Sequence, residues 1–268
     1  MENLLNVENL TLRFHMYTQG LRRKTITAIR NLSVNLEKGE ILAVVGASGS
    51  GKSLLADTIL GVLPRNCEVM GTVFYKDEEL TTKRREALRG REIAFVPQSV
   101  DNLDPRMKVG KQVIGKYGNH ERQRGIFTKL GLADEVSSLY PFQLSGGMAR
   151  RVLIATSQMT RPELVVADEP TPGLSYDLAV EVLRQFRSMA DQGAGVLLIT
   201  HDLDLSLLVA DRIAVFYGGT IIEIASANAF TGLGEKLEQP YSRALWNALP
   251  QNQFTVIKDV SALIKPKN

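Results

Sequence analysis

The chain has 268 residues, of which 44% are hydrophobic, and this size and composition suit a globular protein with a substantial core. Its 32 Lys and Arg residues nearly balance its 29 Asp and Glu residues, which argues against a nucleic-acid partner. Cys67 is the only cysteine, so this chain alone can form neither an internal disulfide nor a multi-cysteine metal or iron–sulfur site.

The N-terminal segment and the hydropathy pattern both argue against a secreted or membrane-spanning chain. The first residues mix acidic, polar and apolar side chains, whereas a signal peptide has a basic start and an apolar centre. No stretch approaches the roughly 20 consecutive apolar residues that a membrane-spanning helix requires. We therefore expect a reducing, cytosolic environment, and a partner wherever the chain associates with a membrane.

The predicted elements, taken in chain order, indicate an α/β fold. Alternating residues predict strands over 4–14 and 32–36, joined by a basic turn around Arg22, Arg23 and Lys24. Apolar runs typical of buried strands follow at residues 41–45, 93–96, 164–167, 196–199 and 213–216. Helical periodicity covers residues 53–63, 109–116, 122–130, 146–159 and, near the C-terminus, about 241–248. The strand signal fades between Gln98 and Ser157, which predicts a mostly helical insert.

Residues 46–53 read GASGSGKS and match the phosphate-binding pattern G-x-x-x-x-G-K-[ST], with a predicted strand before it and a predicted helix after it. The glycines let backbone N–H groups face one anion, and the helix N-terminus adds partial positive charge. Lys52 would reach the β- and γ-phosphates, and the Ser53 hydroxyl would bind Mg²⁺. The predicted nucleotide contacts are Gly46, Ser48, Gly49, Ser50, Gly51, Lys52 and Ser53. The loop alone does not distinguish small-molecule kinases, GTPases and motor ATPases.

Two carboxylates follow the apolar run at residues 164–167. Asp168 and Glu169 would lie at the carboxyl end of a strand, where ligands bind in open parallel sheets. Asp168 suits a water-mediated hold on Mg²⁺, whereas Glu169 suits polarising the attacking water. Such pairs also occur in ordinary solvated turns, so the pair is only part of the argument.

A histidine and a glutamine follow two further predicted strands. His201, between Thr200 and Asp202, is placed to contact the γ-phosphate or the catalytic water. Gln98 could join the Mg²⁺ and water network through its amide oxygen. The predicted catalytic residues are Glu169, His201, Lys52 and Gln98, and the predicted metal ligands are Ser53, Gln98 and Asp168.

The segment LSGGM, residues 144–148, resembles the signature motif of ATP-binding cassette (ABC) ATPases. The phosphate loop (Walker A), Gln98, the signature, the carboxylate pair and His201 follow that family's order and approximate spacing over about residues 4–224. The resemblance implies a P-loop NTPase core with an antiparallel β subdomain and an inserted α-helical subdomain. It also implies an ATPase domain over residues 1–232, with the insert at about 99–157, and a C-terminal extension over 233–268.

In this family the signature acts on the ATP that a partner chain holds. Ser145, Gly146 and Gly147 would open a helix whose N-terminal amides grip the partner's γ-phosphate. Each ATP would then lie between one chain's loop and the other's signature. The resemblance therefore implies that ATP binding closes a dimer and that hydrolysis loosens it.

Further residues resemble the subfamily that serves peptide and nickel importers. The stretch PQSVDNLDPRMKVGKQV (residues 97–113), Met148 and the tail QPYSRALWNALP (residues 239–250) are similar to its permease-facing segment, signature and C-terminal extension. This implies a second ATPase chain, a paralogue in a heterodimer, two integral membrane permease subunits and an extracytoplasmic solute-binding protein. The chain would be peripheral, at the cytoplasmic face of the cell membrane, and the cargo could be peptides or nickel and metal chelates.

Three positions depart from the family or leave a choice open. Ser175 stands where the dimer-contact loop usually has an aspartate, so communication between the two ATP sites could be unequal. Arg150 stands where a glutamine is common, which we interpret as tolerated surface variation. Phe14 aligns best with the family's adenine-stacking aromatic residue, and Tyr17 is the alternative.

Two other functions fit the same motifs. One is an ATPase subunit of a soluble, non-transport complex such as the one that breaks carbon–phosphorus bonds, whose ATPases resemble this subfamily. The other is a regulatory half with weak hydrolysis, which Ser175 would favour and the presence of Lys52, Asp168, Glu169 and His201 opposes. A DNA-repair or ribosome-acting cassette fits less well, because the chain has neither a tandem second cassette nor a large basic excess.

Overall fold

The computed structural model describes residues 2–17 and 23–252. Four strands form an antiparallel sheet in the order β2-β1-β4-β5. They are β1 (Asn3–Tyr17), β2 (Arg23–Glu37), β4 (Cys67–Tyr75) and β5 (Glu78–Glu79). This sheet confirms the antiparallel subdomain and adds β4, a strand that the sequence did not predict.

The long hairpin of β1 and β2 contains the basic residues that the sequence placed in a turn. Lys24 pairs with Met16 and Arg23 pairs with Tyr17 in the antiparallel register. The turn prediction is therefore wrong for Arg23 and Lys24, while Arg22 lies outside the described residues. Both strands continue past the predicted boundaries because exposed polar residues can extend a ladder whose buried half already fixes the register.

A second sheet of six strands carries the predicted parallel core, in the order β10-β9-β3-β8-β7-β6. Its strands are β3 (Ile41–Val45), β6 (Ile93–Val96), β7 (Leu164–Asp168), β8 (Gly195–Thr200), β9 (Arg212–Tyr217) and β10 (Thr220–Ser226). All neighbours are parallel except the pair β9 and β10. Every residue of β3, β7 and β8 is buried, which explains why these strands appear in the sequence as unbroken apolar runs.

The two faces of this sheet belong to two hydrophobic clusters. In β3, Ile41, Ala43 and Val45 pack into one cluster, whereas Leu42 and Val44 pack into the other. The first cluster includes helices of the insert, and the second includes the antiparallel sheet. The six-stranded sheet is therefore the central layer of the fold.

The helices confirm the predicted helical segments, with different ends. They are α1 (Lys52–Leu60), α2 (Thr82–Leu88), α3 (Val109–Ile114), α4 (His120–Lys129), α5 (Gly146–Gln158), α6 (Tyr176–Asp191), α7 (Leu203–Leu207) and α8 (Pro240–Asn247). Helix α1 ends three residues before the predicted limit because Gly61 adopts a left-handed conformation, with φ of 69°, and caps it. None of the helices in the described ranges is long and apolar enough to cross a membrane.

The segment that follows the six-stranded sheet folds back onto it. The Glu223 carboxylate on β10 accepts hydrogen bonds from the backbone N–H groups of Glu238 and Gln239, at 2.6 and 3.1 Å. The ring of Tyr241 on α8 lies 4.7 Å from the ring of Tyr217 on β9. These contacts hold the start of α8 against the antiparallel edge of the sheet.

Candidate active site

The loop between β3 and α1 is packed so closely that its first glycine admits no side chain. A Cβ atom on Gly46 would overlap the backbone carbonyl oxygen of Phe216, at the end of β9. Gly51 has a φ of 105°, in the region that residues with a side chain rarely adopt, and it precedes the first residue of α1. The residue types at these two positions therefore follow from the backbone path of the loop.

Lys52 begins α1 and is turned back into this loop. Its side chain is buried, and its Nζ donates hydrogen bonds to the carbonyl oxygens of Gly46 and Ala47, both at 2.9 Å. The same Nζ lies 3.9 Å from Oε1 of Glu169. Burial lowers the pKa of Lys52, and the negative charges of Glu169 and Asp168 oppose that shift. The arrangement holds an ammonium group where phosphate oxygens could accept its protons.

Asp168 ends β7 with an unpartnered oxygen. Its Oδ1 is buried and has no hydrogen-bond partner. Burial raises the pKa of Asp168, a hydrogen bond with Ser53 lowers it, and the charge of Glu169 raises it further. Such an orphaned carboxylate oxygen is costly unless a cation or water satisfies it.

The three predicted metal ligands line one cavity. Ser53, Gln98 and Asp168 border a space of about 730 Å³. Hydroxyl, amide and carboxylate oxygens are the donors that Mg²⁺ prefers, and Mg²⁺ bound through phosphates needs few ligands from the protein. Within the described part of the chain no group of three His, Cys, Asp or Glu side chains could hold a metal by itself.

Asp57 is a residue of this cavity that the sequence did not single out. It lies one helical turn after Ser53 and lines the same space. Burial raises the pKa of its carboxyl group. An acid four residues after the Ser of a phosphate loop, on the same helix face, was the available signal.

Glu169 lies between Lys52 and His201. Its Oε2 is 2.6 Å from Nδ1 of His201, and because an ionised carboxylate only accepts, the Nδ1–H of His201 donates. The Glu169 side chain is 7% exposed, whereas that of His201 is 53% exposed. Glu169 has a φ of 47°, a left-handed conformation that is costly for a residue with a side chain. The carboxylate is thus fixed from both sides, and the other ring nitrogen of His201 remains available.

The signature segment contains exposed residues, in contrast to the buried Glu169. Ser145 caps α5, and its Oγ accepts a hydrogen bond from the backbone N–H of Met148 at 3.2 Å. Both Ser145 and Gly146 are exposed, and a Cβ atom on Gly146 would meet no atom within 4 Å. This helix N-terminus is therefore accessible to another molecule, and its amides can face an anion.

The two candidates for adenine stacking, Phe14 and Tyr17, both belong to β1, far from these charged residues in the sequence. Phe14 is half-buried on β1, packs against the second hydrophobic cluster and pairs in register with Ile26 and Cys67. The side chain of Tyr17 lies outside the described residues. Adenine stacking by Phe14 stays a prediction.

Arg150 corrects the interpretation drawn from the sequence. Its side chain is buried in α5, with the residue 7% exposed, and its Nη1 donates to the carbonyl oxygen of Pro97 at 3.1 Å. The prediction of surface variation is wrong. Arg150 lies three and four residues before Leu153 and Ile154, which are both buried, and that spacing could have placed it on the inner face of the helix.

Comparison with known proteins assigns the family. The profile described as "ABC transporter" matches residues 29–172. The dipeptide transport ATP-binding protein DppD of Lactococcus lactis is 32% identical over 97% of this chain and 77% of its own length. The oligopeptide transport ATP-binding protein AmiE of Streptococcus pneumoniae is 34% identical over 90% of this chain and 72% of its own length. The glutathione import ATP-binding protein GsiA of Escherichia coli is 34% identical over 93% of this chain and 42% of its own length.

Solved structures agree with this assignment. A nucleotide-free ATP-binding cassette from an ABC transporter is 25% identical, covers 84% of this chain and 91% of its own, and superposes with a TM-score of 0.67. A dimeric post-hydrolysis cassette bound to ADP and phosphate is 22% identical, covers 84% and 99%, and has a TM-score of 0.72. The chain belongs to the ABC transporter family. It is an ATPase of that family, which confirms both the fold and the activity predicted from the motifs.

Proposed function

We propose that this chain is the ATP-hydrolysing subunit of an importer for peptides or for nickel and other metal chelates. The observation that carries the hydrolytic part is the arrangement of Lys52, Glu169 and His201, in which a buried carboxylate is held between an ammonium group and an imidazole. Support for import comes from the relatives named for dipeptide, oligopeptide and glutathione transport, whose similarity extends over nearly the whole chain.

In the proposed reaction the chain positions ATP and removes one proton. The backbone amides of residues 46–51 and the Lys52 ammonium bind the β- and γ-phosphates, and Phe14, or alternatively Tyr17, stacks on the adenine. Glu169 accepts a proton from the water that attacks the γ-phosphorus, and the bond to the β–γ bridging oxygen breaks to release ADP and phosphate. His201 keeps the Glu169 carboxylate in place and contacts the γ-phosphate or the water.

The residues present suit Mg²⁺, through the Ser53 hydroxyl, the Gln98 amide oxygen and the orphaned oxygen of Asp168. When bound, Mg²⁺ neutralises charge on the phosphate oxygens and holds them in position. The chain's own contribution is to keep Ser53, Gln98 and Asp168 around one cavity and to leave Glu169 free for proton transfer.

We further propose that the site is completed by a second ATPase chain. The exposed turn of Ser145, Gly146 and Gly147 would bind the γ-phosphate of the ATP held by a paralogous partner, in a heterodimer. ATP binding would close this dimer, and hydrolysis would loosen it. The chain would act at the cytoplasmic face of the cell membrane, as a peripheral protein without a nucleic-acid partner.

The proposed coupling to transport uses the domain division suggested by the sequence. We assign residues 1–232 to the ATPase domain, 99–157 to its helical insert and 233–268 to a C-terminal extension. Val62, at the border of the cavity beside Gln98, is an exposed apolar side chain and suits contact with one of the two permease subunits. An extracytoplasmic solute-binding protein would deliver cargo to those permeases.

Purification of the tagged full chain from its native membrane, with identification of every co-purifying protein, tests this function. We expect a second ATPase chain and two integral membrane proteins. Recovery with soluble enzymes alone, such as those that break carbon–phosphorus bonds, would contradict the importer. Binding of peptides and of nickel chelates to the solute-binding protein of the same system would then distinguish the two cargo classes.

A further inference from the structure

Two adjacent arginines on α5 make contacts of different kinds. Arg151 donates to the carbonyl oxygens of Gly147, Leu130 and Gly131, at 3.3, 3.1 and 2.8 Å, all in the helical part of the chain. Arg150 instead leaves that part and donates to Pro97, the residue that follows β6 of the central sheet. Of these two arginines, Arg150 is therefore the one that connects the signature helix by a hydrogen bond to the end of β6.

The position of Pro97 makes this contact relevant to the reaction. Pro97 directly precedes Gln98, a proposed ligand of the metal and water network, and both border the cavity that Ser53 and Asp168 line. The other end of the same connection is the start of α5, where Ser145 and Gly146 are exposed. One hydrogen bond thus connects the backbone beside Gln98 with the helix that carries the signature.

Arg150 places a positive charge in a buried position. A buried guanidinium is costly unless hydrogen bonds and an opposite charge compensate it. Burial lowers the pKa of Arg150, and the negative charge of Glu169 opposes that shift. Arg150 therefore lies within electrostatic range of the carboxylate that accepts the proton, in addition to contacting Pro97.

We propose that Arg150 is a positioning residue that fixes Gln98 relative to the signature helix and so links the γ-phosphate of this chain's ATP to the signature it presents to the partner. The proposal rests on the proposed composite site. A guanidinium suits the role because its planar group has five charged N–H donors on a long side chain, whereas a glutamine would supply one neutral NH₂ group on a shorter side chain.

The test uses the full chain purified with its co-purifying partners and compares Arg150→Met, Arg150→Gln and the control Arg122→Met. Arg122 on α4 also donates to a backbone carbonyl of α5, that of Gln158 at 2.6 Å, but at the opposite end of the helix from the signature. Arg150→Met removes the donor and the charge but keeps an unbranched side chain. We expect ATP affinity to stay within about three-fold of wild type and steady-state hydrolysis to fall by about ten-fold. The substitution disturbs the position of Gln98 and leaves the phosphate loop intact. Arg150→Gln should recover most of the rate, and Arg122→Met should leave the rate per folded protein unchanged.

A double-mutant cycle separates positioning from a general structural effect. If Arg150 acts through Gln98, then Arg150→Met combined with Gln98→Ala should hydrolyse ATP no more slowly than Gln98→Ala alone. Multiplicative effects of the two substitutions would overturn the proposal, as would wild-type hydrolysis by Arg150→Met. An equal loss in Arg122→Met would also overturn it, because both arginines would then act only on the stability of the helical part.

If Arg150→Met does not fold, the same cycle is run with Arg150→Lys, which keeps a charged donor at this position but lacks the planar guanidinium group. None of these measurements depends on cargo or on a permease. Failure to find membrane partners would contradict the importer while leaving the cycle interpretable, and additive effects in the cycle would contradict the Arg150 proposal alone.

Discussion

The phosphate loop and the signature turn are both glycine-containing starts of helices, yet the chain treats them differently. Gly46 packs against the backbone of Phe216, and the buried Lys52 ammonium contacts Gly46, Ala47 and Glu169. Ser145 and Gly146 are exposed, with open space where a side chain on Gly146 would extend. Glycine at the loop therefore satisfies this chain's own packing, whereas glycine at the signature leaves room for another molecule.

The first prediction concerns Glu169, which lies beside the phosphate loop of the same chain. Glu169→Gln should lower ATP hydrolysis by about 10³-fold, because the amide cannot accept the proton of the attacking water. ATP binding should remain, since Lys52 and the loop amides are intact, and the assembled dimer should accumulate in its closed form. Single-turnover hydrolysis and size-exclusion chromatography with ATP measure both effects. Unchanged turnover would remove Glu169 from the role of base.

The second prediction concerns the exposed signature turn. Gly146→Asp should lower hydrolysis in the assembled pair by about 10²-fold, because a carboxylate at the signature repels the partner's γ-phosphate. The isolated chain should keep its stability and its own ATP affinity, since a Cβ atom at this position meets no atom within 4 Å and a negative charge suits a helix N-terminus. Gly146→Ala is the matched control: it adds a methyl group without a charge and should lower the rate by less than Gly146→Asp does. Loss of ATP binding by the isolated Gly146→Asp chain would contradict the composite site.

The third prediction sharpens the contrast in packing. Gly46→Ala should lower the free energy of unfolding by about 2 kcal/mol, because its Cβ overlaps a backbone carbonyl that cannot rotate away. Denaturant unfolding measures this loss, and ATP affinity should fall with it. The same Gly-to-Ala change at residue 146 should cost nothing measurable. Equal losses at the two positions would refute the distinction between them.

The fourth prediction has the smallest expected effect. Ser175 is the exposed N-cap residue of α6, and its side chain makes no capping hydrogen bond. Ser175→Asp replaces it with an equally good N-cap residue, so the free energy of unfolding should change by less than about 0.5 kcal/mol. Hydrolysis by the assembled pair should stay within about three-fold of wild type. A larger change in the ATP dependence of the rate would support the regulatory function that Ser175 suggested.

A strand could be predicted from the sequence where its own residues carry the pattern that burial requires. Strands β3, β7 and β8 were found because burial on both faces requires unbroken apolar residues. Strand β4 was missed because residues 68–71 are exposed, which removes the alternation that marks a half-buried strand. In β10, Glu223 interrupts the apolar run, and only its hydrogen bonds to residues 238 and 239 explain why an acid is buried there.

The same reasoning applies to the site. The fold brings together Lys52, Glu169 and His201 as expected, because the carboxyl ends of parallel strands meet at one edge of a sheet. The contact of Arg150 with Pro97 depends on how the helical insert packs onto the core, which no local pattern encodes. The backbone conformation of Glu169 was equally invisible, since glutamate is not a residue type that predicts a left-handed turn.

That backbone conformation has a consequence for how such chains evolve. A left-handed glutamate costs the fold on the order of 1 kcal/mol, whereas glycine at the same position would adopt φ of 47° without strain. Random substitution to glycine would thus relieve strain while removing the base. A lineage in which hydrolysis is no longer needed should keep Glu169 only as far as its ion pair with Lys52 and its hydrogen bond with His201 offset that backbone strain.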